Sequence, residues 1–217
     1  MDIVLTILVW APPILLAITL HEAAHGYAAR HFGDPTAYLA GRISLNPLRH
    51  IDPVGTIAVP LGIVLMNHAT GASFPPFGWA KAVPVNSGRL RNPKRDMLWV
   101  AAAGPGANLA LALGWGLMLS LQSALDGYGG DRFFEMGQVG ILVNLGLMLL
   151  NLLPIPPLDG GRIAISLLPG PLAWKFARIE PYGFIILIAL LYLRVLDYVL
   201  WPLIPPLRQI IALVTGA

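Results

Sequence analysis

The feature that most constrains the fold is an apolar run, Ile3 to Leu20, that leads directly into His21-Glu22-Ala23-Ala24-His25. The run has no charged side chain, which is typical of a helix surrounded by lipid. On a helix, His21 and His25 lie one turn apart on the same face, a spacing that suits a tetrahedral zinc ion. The pattern therefore predicts a metal site on a membrane-embedded helix.

Composition supports this assignment. Of 217 residues, 56% are hydrophobic and 12% charged, and the mean hydropathy is +0.70. Soluble domains carry about 25% charged residues, so too few charges are present here to cover a water-facing surface. The chain has no cysteine, which excludes both a disulfide framework and a Cys-based zinc site.

Apolar segments predict the architecture. Spanning helices are expected at residues 3–29, 97–125, 137–158 and 182–201. Residues 54–66 are only about 13 long and contain Pro60, whereas a bilayer core needs about 20, so we expect a re-entrant segment or tight hairpin there. The N-terminal run could instead be a signal peptide, but it lacks a basic n-region and a small-residue cleavage site. We expect it to be retained.

Other stretches are shorter or more polar. Residues 36–48 alternate partly between apolar and polar side chains, which predicts two short strands. Residues 162–180 and 203–214 are expected to lie along the membrane surface. The predicted fold class is therefore an all-α polytopic membrane protein with four transmembrane helices, one re-entrant or hairpin segment and a small β element near the cytoplasmic side.

Basic residues predict the orientation. Eight of the fourteen lie between Arg30 and Arg95, and three more lie between Arg162 and Arg178. Such clusters favour the cytoplasmic side. The stretch has few aromatic residues and no recognisable module, so we expect no nucleic-acid partner. If residues 54–66 do not cross the membrane, Asp159 reaches the same side as the histidines.

The hydrolytic interpretation depends on Glu22, which can take a proton from a metal-bound water. Alternatively, the histidines satisfy buried polar groups and the motif arose by chance. Three ionisable groups beside a spanning segment are costly, which favours function. His31 is rejected as a ligand, because on a continuous helix it lies about 240° around from His25. Asp159 could be the third ligand or the cap of a helix beginning near Arg162.

Three strings together resemble the site-2 protease family of intramembrane zinc metalloproteases: HEAAH (21–25), GPGAN (104–108) and NLLPIPPLDGGR (151–162). Five more are similar to its small prokaryotic members without a PDZ domain: FGD (32–34), GRISLNP (41–47), HIDP (50–53), GWAK (78–81) and VPVN (83–86). The resemblance covers residues from about 10 to 185, in family order. It implies that His21, His25 and Asp159 bind Zn2+ and that Glu22 activates the zinc-bound water.

One departure concerns the family's usual Asn-Pro-x-Asp-Gly, which here is PPLDG (156–160). The ligand is intact, but the Asn is replaced by Pro156. Asn151 then becomes the candidate catalytic residue that orients substrate or polarises a carbonyl. The alternative for Asn151, and still more for Asn108 and Asn144, is ordinary hydrogen bonding between helices.

The predicted function is hydrolysis of peptide bonds in or next to transmembrane segments of membrane proteins. Residues 1–217 would form a single intramembrane metalloprotease domain, with its core at about 3–185, in the cell membrane with the site toward the cytoplasm. An unwound substrate could pair with residues 36–48 as an added strand. The alternative is a non-catalytic metal-binding membrane protein with a structural or transport role, which has no use for Glu22. A soluble metalloprotease is excluded by the four apolar segments.

Overall fold

The computed structural model describes residues 3–71, 78–124 and 130–217. The helices of these residues are α1 Ile3–His31, α2 Thr36–Leu39, α3 Val59–Thr70, α4 Pro93–Ala124, α5 Gly130–Asn151, α6 Asp159–Leu167, α7 Gly170–Ala177, α8 Glu180–Tyr192, α9 Val195–Leu200 and α10 Ile204–Thr215. Shorter turns are Pro47–His50, Pro53–Ala58, Ser87–Arg89 and Trp201–Leu203.

Five helical stretches of the described chain are long and apolar enough to cross a membrane: Leu5–His31, Pro53–Thr70, Pro93–Ala124, Gly130–Asn151 and Val195–Thr215. The protein is therefore a multi-pass membrane protein, as its composition predicted. The expected number of four is wrong, because Pro53–Thr70 is also long and apolar enough to cross. The last stretch is Val195–Thr215, which begins later than the predicted span over residues 182–201.

The predicted span over residues 182–201 is interrupted in the middle. α8 ends at Tyr192, and Arg194 adopts a left-handed backbone conformation with φ of 57° before α9 begins. A left-handed residue cannot continue a right-handed helix. The 13 residues of α8 extend only about 20 Å, less than a hydrocarbon core of about 30 Å.

The helix expected on the membrane surface at residues 203–214 instead packs on the bundle. Ile204 and Ile211 of α10 are buried in one cluster with Leu119 of α4 and Leu145 of α5. α10 also approaches α4 closely at Gly116, where an added Cβ would lie 2.8 Å from the Ile211 side chain. Small residues at helix contacts permit this approach in membrane proteins.

The two strands predicted over residues 36–48 are absent, and no strand occurs within the three described ranges. Thr36–Leu39 is a helical turn, whose first N–H donates to the Asp34 carboxylate. Pro47–His50 is a second turn, in which Leu48 N–H donates to the Asn46 side chain. Local side-chain acceptors thus satisfy backbone groups that a strand ladder would otherwise use.

The chain between α1 and α4 leaves and returns on one side of the bundle. Arg91 N–H, just before α4, donates to Phe32 O, just after α1, at 3.0 Å. Within this connection, Trp79 N–H donates to Gly55 O at 3.1 Å, so the chain returns to where Pro53–Thr70 begins. Residues 54–66 themselves lie within one continuous helical stretch, so their re-entrant or hairpin course stays a prediction. α1 and α4 are antiparallel neighbours, because His25 meets Val100 and His21 meets Asn108.

Two glycines of α5 provide a test of how closely the bundle is packed. A Cβ on Gly140 would lie 2.4–2.6 Å from the Trp115 ring of α4, whereas nothing lies within 4 Å of one on Gly146. Gly140→Ala should therefore cost about 1–3 kcal/mol, and Gly146→Ala should stabilise by up to about 1 kcal/mol. Thermal unfolding of both variants in one detergent checks this. Equal shifts of the midpoint would contradict the close packing of α4 and α5.

Candidate metal centre

The two histidines of the HEAAH sequence lie on the inner face of α1. His21 and His25 are 7% and 8% exposed, and their ring centroids are 4.7 Å apart with the planes at 84°. The four-residue spacing places both rings on the face toward α4. Two imidazole nitrogens thus converge in the interior of the bundle.

Asp159 reaches the same point from a distant part of the chain. It is the first residue of α6 and is 6% exposed. Its Oδ2 lies 3.2 Å from His21 Nε2 and 3.3 Å from His25 Nε2. The next residue, Gly160, has no room for a side chain, because a Cβ there would lie 2.2 Å from Leu152 O. α6 therefore begins directly against the end of α5, which holds the carboxylate in place.

The three atoms form a nearly equilateral triangle that fits one zinc ion. The third edge, between the two Nε2 atoms, is 3.1 Å. Bonds of about 2.0–2.1 Å to a tetrahedral zinc give edges of about 3.3 Å. In the described chain, Asp159 Oδ2 is buried without a hydrogen-bond partner. Of the described residues, His21, His25 and Asp159 form the group that could hold a metal ion.

The Nδ1 atom of each histidine, on the side of the ring away from the metal position, has a hydrogen-bond partner. His25 Nδ1 lies 2.7 Å from Val100 O, and His21 Nδ1 lies 2.6 Å from Asn108 Oδ1. A carbonyl oxygen only accepts a hydrogen bond, so each Nδ1 carries the proton. Each neutral ring then presents an Nε2 lone pair toward the metal position, which is the arrangement of histidine ligands held by outer-shell acceptors.

Gly104 allows α4 to pack directly against the rings of His21 and His25. A Cβ at Gly104 would lie 2.4 Å from His25 Nε2 and 2.6 Å from His21 Cε1. Any side chain here would therefore enter the space of the two rings. Gly104 belongs to the GPGAN string, and the site requires a glycine here because any side chain would overlap the histidine rings.

Glu22 is hydrogen-bonded to a neighbouring segment of the chain. Its Oε2 accepts a hydrogen bond from Val83 N–H at 2.8 Å. Val83 belongs to residues 78–86, most of which have no regular secondary structure. One carboxylate oxygen of Glu22 is thus oriented by the backbone of residues 78–86, beside the metal centre.

Residues 78–86 are anchored along their length. Lys81 N–H donates to His50 O at 2.9 Å, and Arg42 donates to Lys81 O at 2.6 Å. Asn86 N–H donates to the Asp34 carboxylate at 2.6 Å. These bonds hold the backbone that contacts Glu22.

Asp34 is fully buried just beyond the end of α1. Burial acts to raise the pKa of this carboxyl, but hydrogen bonds from the Thr36 hydroxyl and from Asn86 and Thr36 N–H outweigh it and lower the pKa below the ordinary value. The ionised form of Asp34 is therefore the one that the fold stabilises.

Two further residues from the sequence analysis make other contacts. His31 is exposed at the end of α1, with its ring edge-to-face against Phe32, in keeping with its rejection as a ligand. The Asn151 amide group donates to Leu147 O one turn earlier in α5 at 3.0 Å. Its suggested contact with substrate stays a prediction.

Sequence reasoning undervalued Asn108, for which ordinary hydrogen bonding between helices was favoured over a role at the site. Its side chain is 0% exposed and contacts His21 directly. The available signal was its position four residues after Gly104 in the GPGAN string, which puts both on one face of α4. Only the pairing of α1 with α4 reveals which histidine that face meets.

The fold and the site define a class: a multi-pass membrane protein with a buried three-residue metal centre. One relative, from Bacillus subtilis (strain 168), is named "Putative zinc metalloprotease YwhC" and is 38% identical over 198 residues, covering 88% of this chain and 83% of the relative. Another, from Mycolicibacterium smegmatis, is named "Putative zinc metalloprotease Rip2" and is 33% identical over 184 residues, covering 82% of this chain and 64% of the relative.

The identity and coverage of the Bacillus relative show that this chain belongs to the same family of zinc metalloproteases. The cofactor is accordingly Zn2+, in agreement with the donor set of His21, His25 and Asp159. No family model and no solved structure matches the chain.

Two glycines of α4 test the metal centre. Gly104→Ala should weaken zinc binding, because its methyl group overlaps both imidazoles, whereas Gly106→Ala has nothing within 4 Å of the new Cβ. Zinc content and affinity of the two purified variants check this. Equal zinc affinity would show that α4 does not shape the site.

Asp34 gives a pH-dependent prediction. Its lowered folded-state pKa means that the ionised carboxylate stabilises the fold above the ordinary value of 3.8 and that this is lost as the pH falls through the folded-state pKa. Asp34→Asn should therefore unfold more easily than the wild type at pH 7, and the difference should begin to narrow as the pH falls below the ordinary value of 3.8. Denaturant midpoints at pH 7 and pH 3 measure it, with the exposed Asp131→Asn as control. A gap of the same size at pH 3 would contradict the assignment.

Proposed function

We propose that this protein is an intramembrane zinc endopeptidase of the site-2 protease type, which hydrolyses peptide bonds in or next to transmembrane segments of membrane proteins. The observation that carries the proposal is the convergence of His21, His25 and Asp159 within a helix bundle whose α1 is itself apolar enough to span a membrane. Ionisable groups at such a depth are costly and mark function.

In this proposal the three side chains would hold the zinc ion, and a set of three protein ligands is typical of catalytic zinc sites. When bound, zinc supplies Lewis acidity that polarises the scissile carbonyl and lowers the pKa of water toward about 7. His21 and His25 would bind the zinc ion through Nε2, and Asp159 would bind it through Oδ2.

Glu22 is the general base. It takes a proton from the attacking water as the water oxygen bonds to the carbonyl carbon, and it gives that proton to the amine when the carbon–nitrogen bond breaks. The Val83 N–H bond to Oε2 supports this role, because it fixes one carboxylate oxygen and leaves Oε1 to exchange the proton.

The substrate helix must unwind locally, because its peptide bonds are shielded by their own hydrogen bonds. Residues 36–48 offer no strand for pairing, but residues 78–86 run beside Glu22. We assign the unwound substrate to this segment. Asn151 would orient the substrate or polarise a carbonyl.

The orientation follows from charge. Arg30 at the end of α1 and Lys94 and Arg95 at the start of α4 lie at the end of the bundle where those two helices are joined. Basic residues favour the cytoplasmic side, so the protein would lie in the cell membrane with its site toward the cytoplasm.

Glu22→Gln tests the mechanism. The amide retains an oxygen that can accept from Val83 N–H but cannot take a proton, so cleavage of a membrane-anchored reporter in vesicles should fall to background with zinc content unchanged. Glu135→Gln is the matched control, because Glu135 lies near the opposite end of α5, paired with Arg132, and it should cleave like the wild type.

Three outcomes count against the proposal. Continued processing by Glu22→Gln would exclude Glu22 as the base. Loss of zinc from that variant would give Glu22 a role in metal binding instead. A zinc-loaded wild type that cleaves no membrane-protein reporter would favour the non-catalytic metal-binding alternative.

A further inference from the structure

A buried chain of hydrogen bonds continues from His21 through α4 into α5. The Asn108 amide group donates to Asn144 Oδ1 at 3.0 Å and to Ala17 O at 3.3 Å. The Asn144 amide group in turn donates to Gly140 O at 2.8 Å. Asn108 and Asn144 are both 0% exposed, so no water competes for these bonds.

The donor and acceptor of each of these hydrogen bonds are fixed by Gly140 O, at the end farthest from His21. Gly140 O can only accept, so the Asn144 nitrogen faces it and Asn144 Oδ1 faces Asn108. That oxygen accepts, so the Asn108 nitrogen faces Asn144 and Asn108 Oδ1 faces His21. His21 must then donate from Nδ1, which leaves the Nε2 lone pair free for the metal.

We propose that Asn144 is a positioning residue for the metal centre, which acts through Asn108 to fix the proton and the orientation of the His21 ring. If Asn108 rotated by half a turn, its NH2 group would face Nδ1 and favour the other form of the ring, with the proton on Nε2. That form cannot bind zinc through Nε2. Asn144 and Ala17 O together oppose this rotation.

The two histidines differ in this respect. His25 is held by the backbone carbonyl of Val100, which no substitution removes, whereas His21 is held by a side chain. The affinity of the site for zinc should therefore respond to substitutions at two positions that touch neither the ion nor the substrate. This inference rests on the metal centre alone. It can fail while the proposed proteolysis stands, and it can stand if the protein proves not to be a protease.

The test compares Asn108→Leu and Asn144→Leu with the aspartate variants at the same positions. A buried neutral carboxyl has one acceptor and one O–H donor, like the amide it replaces. Zinc affinity is measured by competition with a chelator on purified protein. The visible absorption of the Co2+-loaded protein reports the coordination geometry.

Loss of an outer-shell partner lowers metal affinity about 10- to 100-fold, which we expect for Asn108→Leu. Asn144→Leu should lower it on the order of tenfold, the smaller end of that range, because Ala17 O still accepts from Asn108. Both should change the Co2+ spectrum, and the aspartate variants should restore it. The double leucine variant should bind no more weakly than Asn108→Leu, because Asn144 acts only through Asn108.

Thr215→Val is the control. Thr215 is buried and donates to Ile211 O within α10, so the variant removes a buried hydrogen bond that has no connection to His21. Its zinc affinity and Co2+ spectrum should match the wild type. If a leucine variant does not fold, the alanine variant at that position takes its place in the comparison.

Wild-type affinity in Asn144→Leu would overturn the proposal. So would additive losses in the double variant, or aspartate variants that bind as weakly as the leucine variants, because a purely structural role predicts both. Restored binding in the aspartate variants together with a non-additive double variant would establish it.

Discussion

The close approach of α1 and α4 at Gly104 is the contact on which the rest of this structure depends. No side chain intervenes, so the backbone of α4 lies against the two imidazoles of α1. This closeness brings Val100 O and Asn108 within hydrogen-bonding distance of His25 and His21. One missing methyl group thus allows both the position of the ring nitrogens and the hydrogen bonds that orient them.

The hydrogen bonds that orient His21, His25 and Glu22 all lead to fixed backbone groups. Each bonded series ends at a main-chain carbonyl or N–H, such as Val100 O, Gly140 O or Val83 N–H. In an apolar medium an unpaired polar group is expensive. Fixed backbone groups therefore hold the polar side chains of the interior in place.

The sequence predicted the candidate metal ligands of this protein better than its topology. His21 and His25 were identifiable as candidate ligands because ligand spacing within one helix is a local property, and the role of Glu22 stays a prediction. Asp159 needed the family resemblance, because contacts between distant segments leave no periodic signal. Asn108 was noticed but not assigned, for the same reason.

Each error in the predicted topology has a physical cause. Alternation over residues 36–48 resembled strands, but Asp34 and Asn46 provide local acceptors that stabilise turns. Hydropathy across residues 182–201 is continuous, yet Arg194 turns the backbone, and a left-handed residue has no hydropathy signature. The helix at residues 203–214 was assigned to the surface, because its partners in α4 and α5 are far away in sequence.

The origin of the ligands has a thermodynamic consequence. His25 and Asp159 lie more than a hundred residues apart, so an ion held by both closes a large covalent loop, much as a reversible cross-link would. Closing such a loop removes conformational freedom from the unfolded chain, and the free energy of capturing the ion is added to that of folding. Removal of the metal would thus remove one link between α1 and α6, and the apoprotein should unfold more easily.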